Sequence, residues 1–133
     1  MLDLNSDLDI SVPVALGAKL TGTVNGATVS LSNNVSAVLS FQFSTVTDGT
    51  HTPSVEESAD GTVWTAVDAA DLTALLTAVT STESDTVQTV GYKGAAGNIR
   101  PVLVTAGATT GGVAGVTAVL GGRKHTGGSP IIA

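Results

Sequence analysis

The chain has 133 residues, no cysteine and a formal net charge of −6, and only 12% of its residues are charged. This length suits one domain with its own core, and the missing cysteines exclude disulfides and thiolate metal sites. The five basic residues form no run, so binding to nucleic acid through phosphate contacts is not expected.

The composition predicts strands and turns rather than helices. Valine, threonine, alanine, glycine and serine dominate, whereas charged residues are about half as frequent as in ordinary soluble domains. A positive mean hydropathy with so few charges indicates that other chains cover part of the surface. The N-terminus is acidic where a secretory signal would be basic, and no apolar run reaches the roughly 20 residues of a membrane span. We therefore expect a soluble protein made in a cytoplasm.

The chain is predicted to begin with an arm, residues 1–13, which holds three aspartates and an imperfect alternation of apolar residues. Such a stretch fits either an arm that packs on a neighbour or a short edge strand. Two short strands are then predicted at Ala18–Val24 and Ala27–Ser32. The dipeptide Asn25-Gly26 between them is a hairpin signal, and Asn33-Asn34 indicates a further turn.

The clearest strand signal is Val35–Thr45. Five apolar residues occupy every second position, which is typical of a half-buried antiparallel strand. They are Val35, Ala37, Leu39, Phe41 and Phe43. We expect Phe41 and Phe43 in the centre of the core, and a loop at Asp48–His51 after the strand.

The stretch Val55–Val67 is predicted to be a β-hairpin, because Asp60-Gly61 between two strand-like runs is a strong turn signal. The return arm would place Val63 on one face and Trp64 on the other. Trp64 is the one tryptophan of the chain, so its side chain is expected to meet a core or an interface.

A short helix is predicted at Asp68–Val79, with Asp68 as N-cap and Asp71 in its first turn. Four apolar residues in this stretch have the i, i+3, i+4, i+7 spacing, although its threonines weaken a helix. They are Leu72, Leu75, Leu76 and Val79.

The last third of the chain is predicted to hold three strands separated by a polar loop and glycine-rich turns. Pro101 indicates that its strand is an edge strand or begins late. In chain order these are loop Ser81–Asp85, strand Thr86–Tyr92, turn Gly94–Gly97, strand Ile99–Thr105, turn Gly107–Gly112 and strand Val113–Leu120.

Seven to eight short strands with at most one short helix predict an all-β fold, an antiparallel β-sandwich, although barrel closure stays open. The predicted organisation is an N-terminal arm at 1–13, a sandwich domain at 14–121 and a C-terminal tail at 122–133. The tail carries Arg123, Lys124 and His125 and ends in Ile131-Ile132, so it could dock on a neighbouring subunit.

No constellation of catalytic, cofactor-binding or metal-ligating residues emerges, and we do not expect an enzyme. His51 and His125 lie in predicted loops without enough further ligands for a metal site. Glu56 and Glu57 are adjacent and would point to opposite faces of a strand, so they do not form a catalytic pair. Calcium binding by turn carboxylates has little support; the candidates are Asp48, Asp60, Glu83 and Asp85.

Three stretches carry a resemblance to a known family. They are V-E-E-S-A-D-G-T-V-W-T-A-V (Val55–Val67), V-G-Y-K-G-A-A-G-N-I-R-P-V-L-V (Val90–Val104) and T-T-G-G-V-A-G-V-T-A-V-L-G-G-R-K (Thr109–Lys124). In this order they resemble small proteins encoded among the head and connector genes of tailed bacteriophages. The similarity covers residues 35–124. Members commonly have an aromatic residue before the strand arginine, whereas this chain reads Asn98-Ile99-Arg100-Pro101.

The resemblance implies a virion structural protein, and within that group a capsid decoration (cement) protein. It would bind the outer surface of the head as a homotrimer on the major capsid protein, and it would be assembled in the host cytoplasm. Nucleic acid, membranes and cofactors are not expected partners. Two other readings stay open: a head–tail connector or tail-completion protein, and a carbohydrate-binding β-sandwich. The latter requires Trp64 or Tyr92 to be exposed among polar neighbours.

Overall fold

Alternating apolar and polar residues form two antiparallel sheets that face each other, which confirms the predicted all-β sandwich. The computed structural model describes residues 8–31 and 36–122, and nine strands lie within them. The four-stranded sheet consists, in spatial order, of β1 (Asp9–Lys19), β9 (Gly112–Gly121), β4 (Ser36–Val46) and β7 (Thr86–Tyr92). The described residues of the chain contain no helix that is long and apolar enough to cross a membrane.

The five-stranded sheet has β8 and β5 at its centre. Its order is β2, β8, β5 and β6, and β3 pairs with β8 beyond the end of β2. The strands are β2 (Gly22–Asn25), β3 (Val29–Ser30), β5 (Thr50–Ser58), β6 (Thr65–Ala66) and β8 (Asn98–Ala106).

The core lies between the two sheets and is centred on β4, as predicted. Phe41 is fully buried and Phe43 is 3% exposed, because every second residue of β4 points inward. From the facing sheet, Ile99 and Leu103 on β8 are 0% and 1% exposed. The strand that the sequence indicated most clearly therefore supplies both phenylalanines of the core.

β1 is the first element of the described chain and forms an edge of the four-stranded sheet. Residues 9–13 lie in this strand, so the predicted boundary after residue 13 falls inside β1. The predicted strand Ala18–Val24 is wrong as a unit, because β1 ends at Lys19 and the chain then crosses to the other sheet before β2. The Asn33-Asn34 turn and the tail from Arg123 onward, which includes Lys124 and His125, lie outside the described residues.

The predicted hairpin at Asn25-Gly26 is wrong, because β2 and β3 do not pair with each other. Both pair with β8 in the same direction, and residues 26–28 form a break between them. Pro101 of β8 lies at this break: its carbonyl accepts a hydrogen bond from Gly26 N–H at 2.8 Å. A strand residue directs its amide and carbonyl to the same side, so the missing Pro101 N–H also faces the break.

The same geometry corrects the expectation for Pro101. β8 is an interior strand rather than an edge strand, and it begins at Asn98. It tolerates the proline because its neighbour is interrupted where the ladder would need the missing donor.

The predicted helix at Asp68–Val79 is also wrong. A single turn of 3-10 helix spans Ala69–Asp71, and Asp68 makes no side-chain cap bond. Backbone groups further along bond to strands instead: Thr73 N–H donates to Gly91 on β7, and Val79 exchanges two bonds with His51 on β5. Free strand groups nearby thus outcompete a helix that threonine already disfavours.

The hairpin at Val55–Val67 is confirmed, with β5 and β6 paired through Glu57 and Thr65. Its tip is longer than predicted because Asp60 organises it: the carboxylate accepts the Thr62 and Val63 N–H groups at 2.9 and 3.0 Å. The loop predicted at Asp48–His51 is shorter than expected, since β5 begins at Thr50 and His51 is a buried strand residue.

The turn between β8 and β9 offers a test of this packing. Gly107 and Gly111 both have positive φ, +66° and +81°. A Cβ on Gly107 would meet nothing within 4 Å, whereas a Cβ on Gly111 would collide with the Lys19 backbone carbonyl. We expect Gly107→Ala to lower the free energy of unfolding by about 1–2 kcal/mol through backbone strain alone. Gly111→Ala should cost clearly more.

Urea unfolding of both variants, followed by circular dichroism, measures the difference. Equal losses would show that the close approach of Lys19 to Gly111 does not constrain the turn.

Candidate interaction surface

The outer face of the four-stranded sheet carries no charged side chain. Among its four strands the charged residues are Asp9 and Lys19, at the two ends of β1. Antiparallel sheets with a solvated face normally alternate apolar with polar and charged residues. A charge-free outer face over four strands is therefore the feature of the described residues that most needs a partner.

The strand register arranges this face in rows across the sheet. One row is apolar and runs Ile10, Val119, Val38, Gly91. Another row is polar but uncharged and contains Thr117, Ser40 and Thr89. Val38 is 40% exposed although it lies on a central strand. Small residues such as Gly91 and Ser40 keep the face flat, which suits close contact with another surface.

An apolar stripe borders the face along β1. The β1 stripe is defined by three side chains of β1 and that of the residue after it, all 57–66% exposed, and these are Ile10, Val12, Leu16 and Leu20. At its centre the backbone of Leu16 passes over Gly115: a Cβ on that glycine would lie 2.8 Å from Leu16 Cα. Glycine at 115 thus allows β1 to cross close to β9 and raises Leu16 towards solvent.

β1 is protected against pairing with a further strand, even though its side chains are exposed. Its register with β9 shifts twice, between Ser11 and Val14 and between Val14 and Gly17. Pro13 has no N–H, and its carbonyl accepts a bond from Ala27 at 2.9 Å. Bulges and proline are the devices by which edge strands avoid edge-to-edge aggregation. The stripe can therefore bind through side chains but not through an added strand.

The opposite edge, β7, is covered by the chain between residues 71 and 80. The side-chain amide of Gln88 pairs with the Thr77 backbone as a neighbouring strand would. Its Oε1 accepts from Thr77 N–H and its Nε2 donates to Thr77 O, both at 2.9 Å. Thr73 bonds Gly91 through both its amide and its hydroxyl. The backbone N–H and carbonyl of Gly91, and the side-chain amide of Gln88, are thus used within the chain. Leu75, on the covering segment, is nevertheless 82% exposed.

The outer face of the five-stranded sheet is chemically different. Arg100 donates to Glu56 Oε1 from Nε at 2.8 Å, and its Nη2 forms the ion pair at 2.7 Å. The Arg100 guanidinium also stacks on Trp64, 4.5 Å from the ring centroid. Trp64 is therefore half-buried at an interface within the domain rather than in the core. We call this the polar face because its charges, Arg100 and Glu56, are paired on it; Val104 on β8 is also 41% exposed there.

Tyr92 is buried and does not join Trp64 in an aromatic platform. Its hydroxyl donates to Glu57 Oε1 at 2.6 Å and accepts Ala96 N–H at 3.1 Å. Glu57 points inward to this hydroxyl while Glu56 points outward to Arg100, which confirms that the two glutamates use opposite faces of β5. Of the two aromatic residues that the carbohydrate-binding reading could use, Trp64 and Tyr92, Trp64 thus remains as the candidate.

His51 is fully buried and holds two loops together. Its Nε2 lies 3.2 Å from the Asp48 carbonyl, which only accepts, so Nε2 carries the proton. Its Nδ1 lies 2.9 Å from the Thr105 hydroxyl and accepts from it. Both ring nitrogens have hydrogen-bond partners within the protein. The histidine that was predicted to lie in a loop therefore stabilises the fold from a buried strand position.

The Asp48 carboxylate closes the turn before β9. It accepts the backbone N–H groups of Gly111 at 2.6 Å, Thr110 at 3.1 Å and Thr109 at 3.2 Å. These bonds, above all that from Gly111, lower the pKa of Asp48. The aspartate that the sequence offered as a possible metal or calcium ligand thus has its oxygens turned to the backbone.

Two other turn carboxylates, those of Asp60 and Glu83, also accept hydrogen bonds within the chain. Backbone N–H groups of Val63 and Thr62 lower the pKa of Asp60. The Thr80 hydroxyl, followed by that of Thr82, lowers the pKa of Glu83 to about 2. No group of three or more candidate metal ligands occurs in residues 8–31 and 36–122.

Sequence reasoning did not single out the charge-free face. The signal was nevertheless available, because three further segments lack charge as completely as Ile10–Ala18 does. They are Ser36–Val46, Thr86–Tyr92 and Gly112–Gly121. What the sequence does not contain is that these segments pair side by side in one sheet.

Comparisons with known proteins assign no family to this chain. No protein-family model matches the chain, and no curated protein matches it. Among solved structures, the chain is similar to a chain in the structure of infectious bursal disease virus, Gx strain, with 15% identity and a TM-score of 0.48. The match covers 92% of this chain and 34% of that chain, so this protein spans about a third of the viral chain's length.

The single tyrosine makes the Glu57 contact measurable. Burial, and then the bond to Glu57, raises the pKa of Tyr92 to about 12 from an ordinary 10. A raised pKa stabilises the fold below the unfolded value, and that stability is lost as pH rises from about 10 through about 12. We expect phenolate absorbance to titrate near pH 12 in the folded protein.

In the Tyr92→Phe variant, the free energy of unfolding should fall less over this pH range than in the parent protein. A tyrosine that titrates at its ordinary pKa in the folded protein would contradict the buried contact.

The Asp48 contacts predict acid sensitivity. A lowered pKa contributes stability that is present above the unfolded value of about 3.9 and is lost as pH falls through the folded value. Asp48→Asn should therefore be less stable at neutral pH and should lose less stability on acidification. Thermal unfolding between neutral pH and about pH 3 measures this. Asp68→Asn is the matched control, because Asp68 makes no cap bond; similar profiles for the two variants would contradict the role of Asp48.

Proposed function

We propose that this protein is a structural component of a virion, and specifically a bacteriophage capsid decoration (cement) protein. It binds the outer surface of the head and stabilises it. The observation that carries the proposal is the charge-free outer face of the four-stranded sheet, which a free-standing acidic domain would not be expected to leave in water. The three stretches that resemble phage head and connector proteins support a tailed bacteriophage as the virion in question.

The proposal gives each outer face a role. The charge-free face, with Val38 and Val119 in its apolar row, meets the major capsid protein. The polar face, with Arg100 paired to Glu56, points to solvent. With a net charge of −6, the protein also repels packaged nucleic acid and so avoids nonspecific binding to it.

The mechanism is binding without chemistry. Each contact is modest, because a flat face with few large side chains buries little area per residue. A homotrimer that binds three shell subunits at once makes the same contact three times. Its overall affinity for the shell therefore exceeds that of a single contact, although no new kind of contact is needed. The shell gains stability because the bound subunits must be released before it opens.

Co-sedimentation with DNA-filled heads of the phage that encodes the protein tests the proposal. Val38→Glu places a charge in the apolar row of the charge-free face, on a side chain already 40% exposed. We expect it to weaken head binding by at least about tenfold, since burying an unpaired carboxylate costs more than 1.4 kcal/mol. The matched control is Thr52→Glu, an exposed position on a central strand of the other sheet.

Equal binding by Val38→Glu and Thr52→Glu would contradict the assignment of the docking face. Parent protein that stays in solution with intact heads would overturn the cement proposal itself. The copy number in purified particles separates cement, present in hundreds, from a connector or tail-completion protein, present as a ring at one vertex.

A further inference from the structure

Part of the β7 edge is open, because the segment that covers this edge leaves it halfway along. At one end of β7, Thr73 N–H donates to the Gly91 carbonyl and Lys93 N–H donates to the Asp71 carbonyl. Beside the other half of β7 lies a shallow groove of about 350 Å³. Its lining residues are Leu75, Thr77, Glu83, Thr86, Gln88 and Thr89. The groove is thus a gap in the cover of the β7 edge.

The backbone groups of β7 at this gap have no hydrogen-bond partner among the described residues. Gly91, which pairs with Val38 of β4, directs both its N–H and its carbonyl away from β4, to Thr73. Because this direction alternates along a strand, Val87 and Thr89 also turn their N–H and carbonyl groups away from β4. No hydrogen bond joins these four groups to residues 8–31 or 36–122. The gap therefore presents two donors and two acceptors in a row.

Two strongly exposed apolar side chains accompany these groups. Leu75, which lines the groove, is 82% exposed, and Val87 is 61% exposed. Unlike β1, the stretch 86–90 has no proline, no charged residue and no register shift. Edge strands of natural proteins are normally protected by such features or are covered. An extended segment paired with Val87 and Thr89 would cover the backbone groups and the apolar side chains together.

We propose that this part of the β7 edge is a strand-binding site, and that its occupant is the C-terminal segment of the same chain, residues 123–133, which lies outside the described residues. The segment pairs antiparallel with Val87–Thr89 and becomes the edge strand of the four-stranded sheet. Main-chain bonds provide the affinity, and the side chains set the register. The proposal concerns the free subunit and does not depend on a capsid.

Charge favours this segment over the opposite end of the chain. All eleven acidic residues precede residue 123, whereas the C-terminal segment carries Arg123 and Lys124 and no acidic residue. Glu83 lines the groove. An N-terminal segment with Asp3 and Asp7 would be repelled by an acidic domain, whereas a basic segment is attracted to it.

The segment is also long enough to reach the site. Gly121 pairs with Ser36 and Thr89 pairs with Ser40, so the two levels differ by about 14 Å along the strands. A strand added outside β7 lies three strand spacings from β9, which is also about 14 Å. The separation is thus about 20 Å, and the stretch from Gly121 to Ser129 can span about 26 Å.

The direction of the segment follows from the topology. β4 is antiparallel to both β9 and β7, so β9 and β7 run in the same direction. A segment that turns back after β9 therefore runs antiparallel to β7 and meets Thr89 before Val87.

A proline restricts the register of this pairing. Pro130 has no N–H and must face away from β7, so its neighbours Ser129 and Ile131 face the open groups. With Ile131 opposite Val87 and Ser129 opposite Thr89, each pair exchanges two backbone bonds and all four open groups are used. The apolar side chains then lie together, as do the two hydroxyls, which is the favourable cross-strand combination.

Amide hydrogen exchange in the full chain tests the pairing residue by residue. The N–H groups of Val87 and Thr89 should exchange at least about tenfold more slowly than free amides. Ile131→Asp places a charge at the paired position and should remove this protection. Thr126→Asp is the matched control, because it adds the same charge to the same segment outside the paired residues, and it should retain the protection. The Val90 amide, which faces β4, should stay protected in all three proteins.

Each other outcome of this measurement contradicts the proposal. Free exchange at Val87 and Thr89 in the parent chain would show that the edge is open to water. Protection that survives Ile131→Asp would show that something else covers the edge. Protection that is lost on dilution, together with a falling mass in sedimentation, would assign the edge to the segment of a second copy.

Introduced cysteines provide a second readout, because the chain has none. Opposed residues of a bonded antiparallel pair have Cα atoms about 5.5 Å apart, within the range of a disulfide. Val87→Cys/Ile131→Cys should therefore lose its free thiols on mild oxidation and remain a monomer on a non-reducing gel. Val87→Cys/Ile132→Cys is the control, because Ile132 points to the other face of the strand. Equal thiol loss in the two variants would contradict the register, and disulfide-linked dimers of the first would overturn pairing within one chain.

Discussion

Every feature of this protein depends on how close two sheets can come when their inner faces are filled mostly by small aliphatic side chains. Two large groups between them, Phe41 and Phe43, come from β4, and Tyr92 from β7 joins them. Ile99 and Leu103 meet them from β8, the central strand of the other sheet. Because interiors are packed as densely as organic crystals, this small set of side chains fixes the relative position of both sheets. The edges and outer faces are then set as well.

The connections that join the sheets are held by polar groups rather than by the core. Buried His51 uses both ring nitrogens, one on the Asp48 carbonyl and one on Thr105. The Asp48 carboxylate then binds the amides of the turn before β9. This cluster brings the start of β5, the end of β8 and the start of β9 together at one end of the sandwich. Its groups are satisfied internally, which accounts for a histidine and an aspartate that the sequence left as possible ligands.

The outer faces of the two sheets have different roles in the proposed function. In the described residues, no charge lies on the outer face of the four-stranded sheet apart from the ends of β1, so this sheet can be covered without a charge being buried. The features of β1 also support a role in binding a neighbour. Pro13 and the two register shifts exclude an added strand, while Ile10, Val12 and Leu16 remain exposed. Such an edge resists uncontrolled aggregation and still offers a side-chain surface for a specific neighbour.

The sequence by itself determined the fold class and the strands whose pattern is local. Alternation fixed β4 and its buried phenylalanines, and Asp60-Gly61 fixed the hairpin of β5 and β6. Period-two burial and positive φ at glycine follow from neighbouring residues alone. Tertiary structure decided the rest. The segment 72–79 is not a helix because strands β5 and β7 take its backbone groups, and Asn25-Gly26 is a break because β8 carries Pro101 opposite it. The charge-free face exists only because four distant segments pair in one sheet, a fact that depends on contacts between residues far apart in the chain.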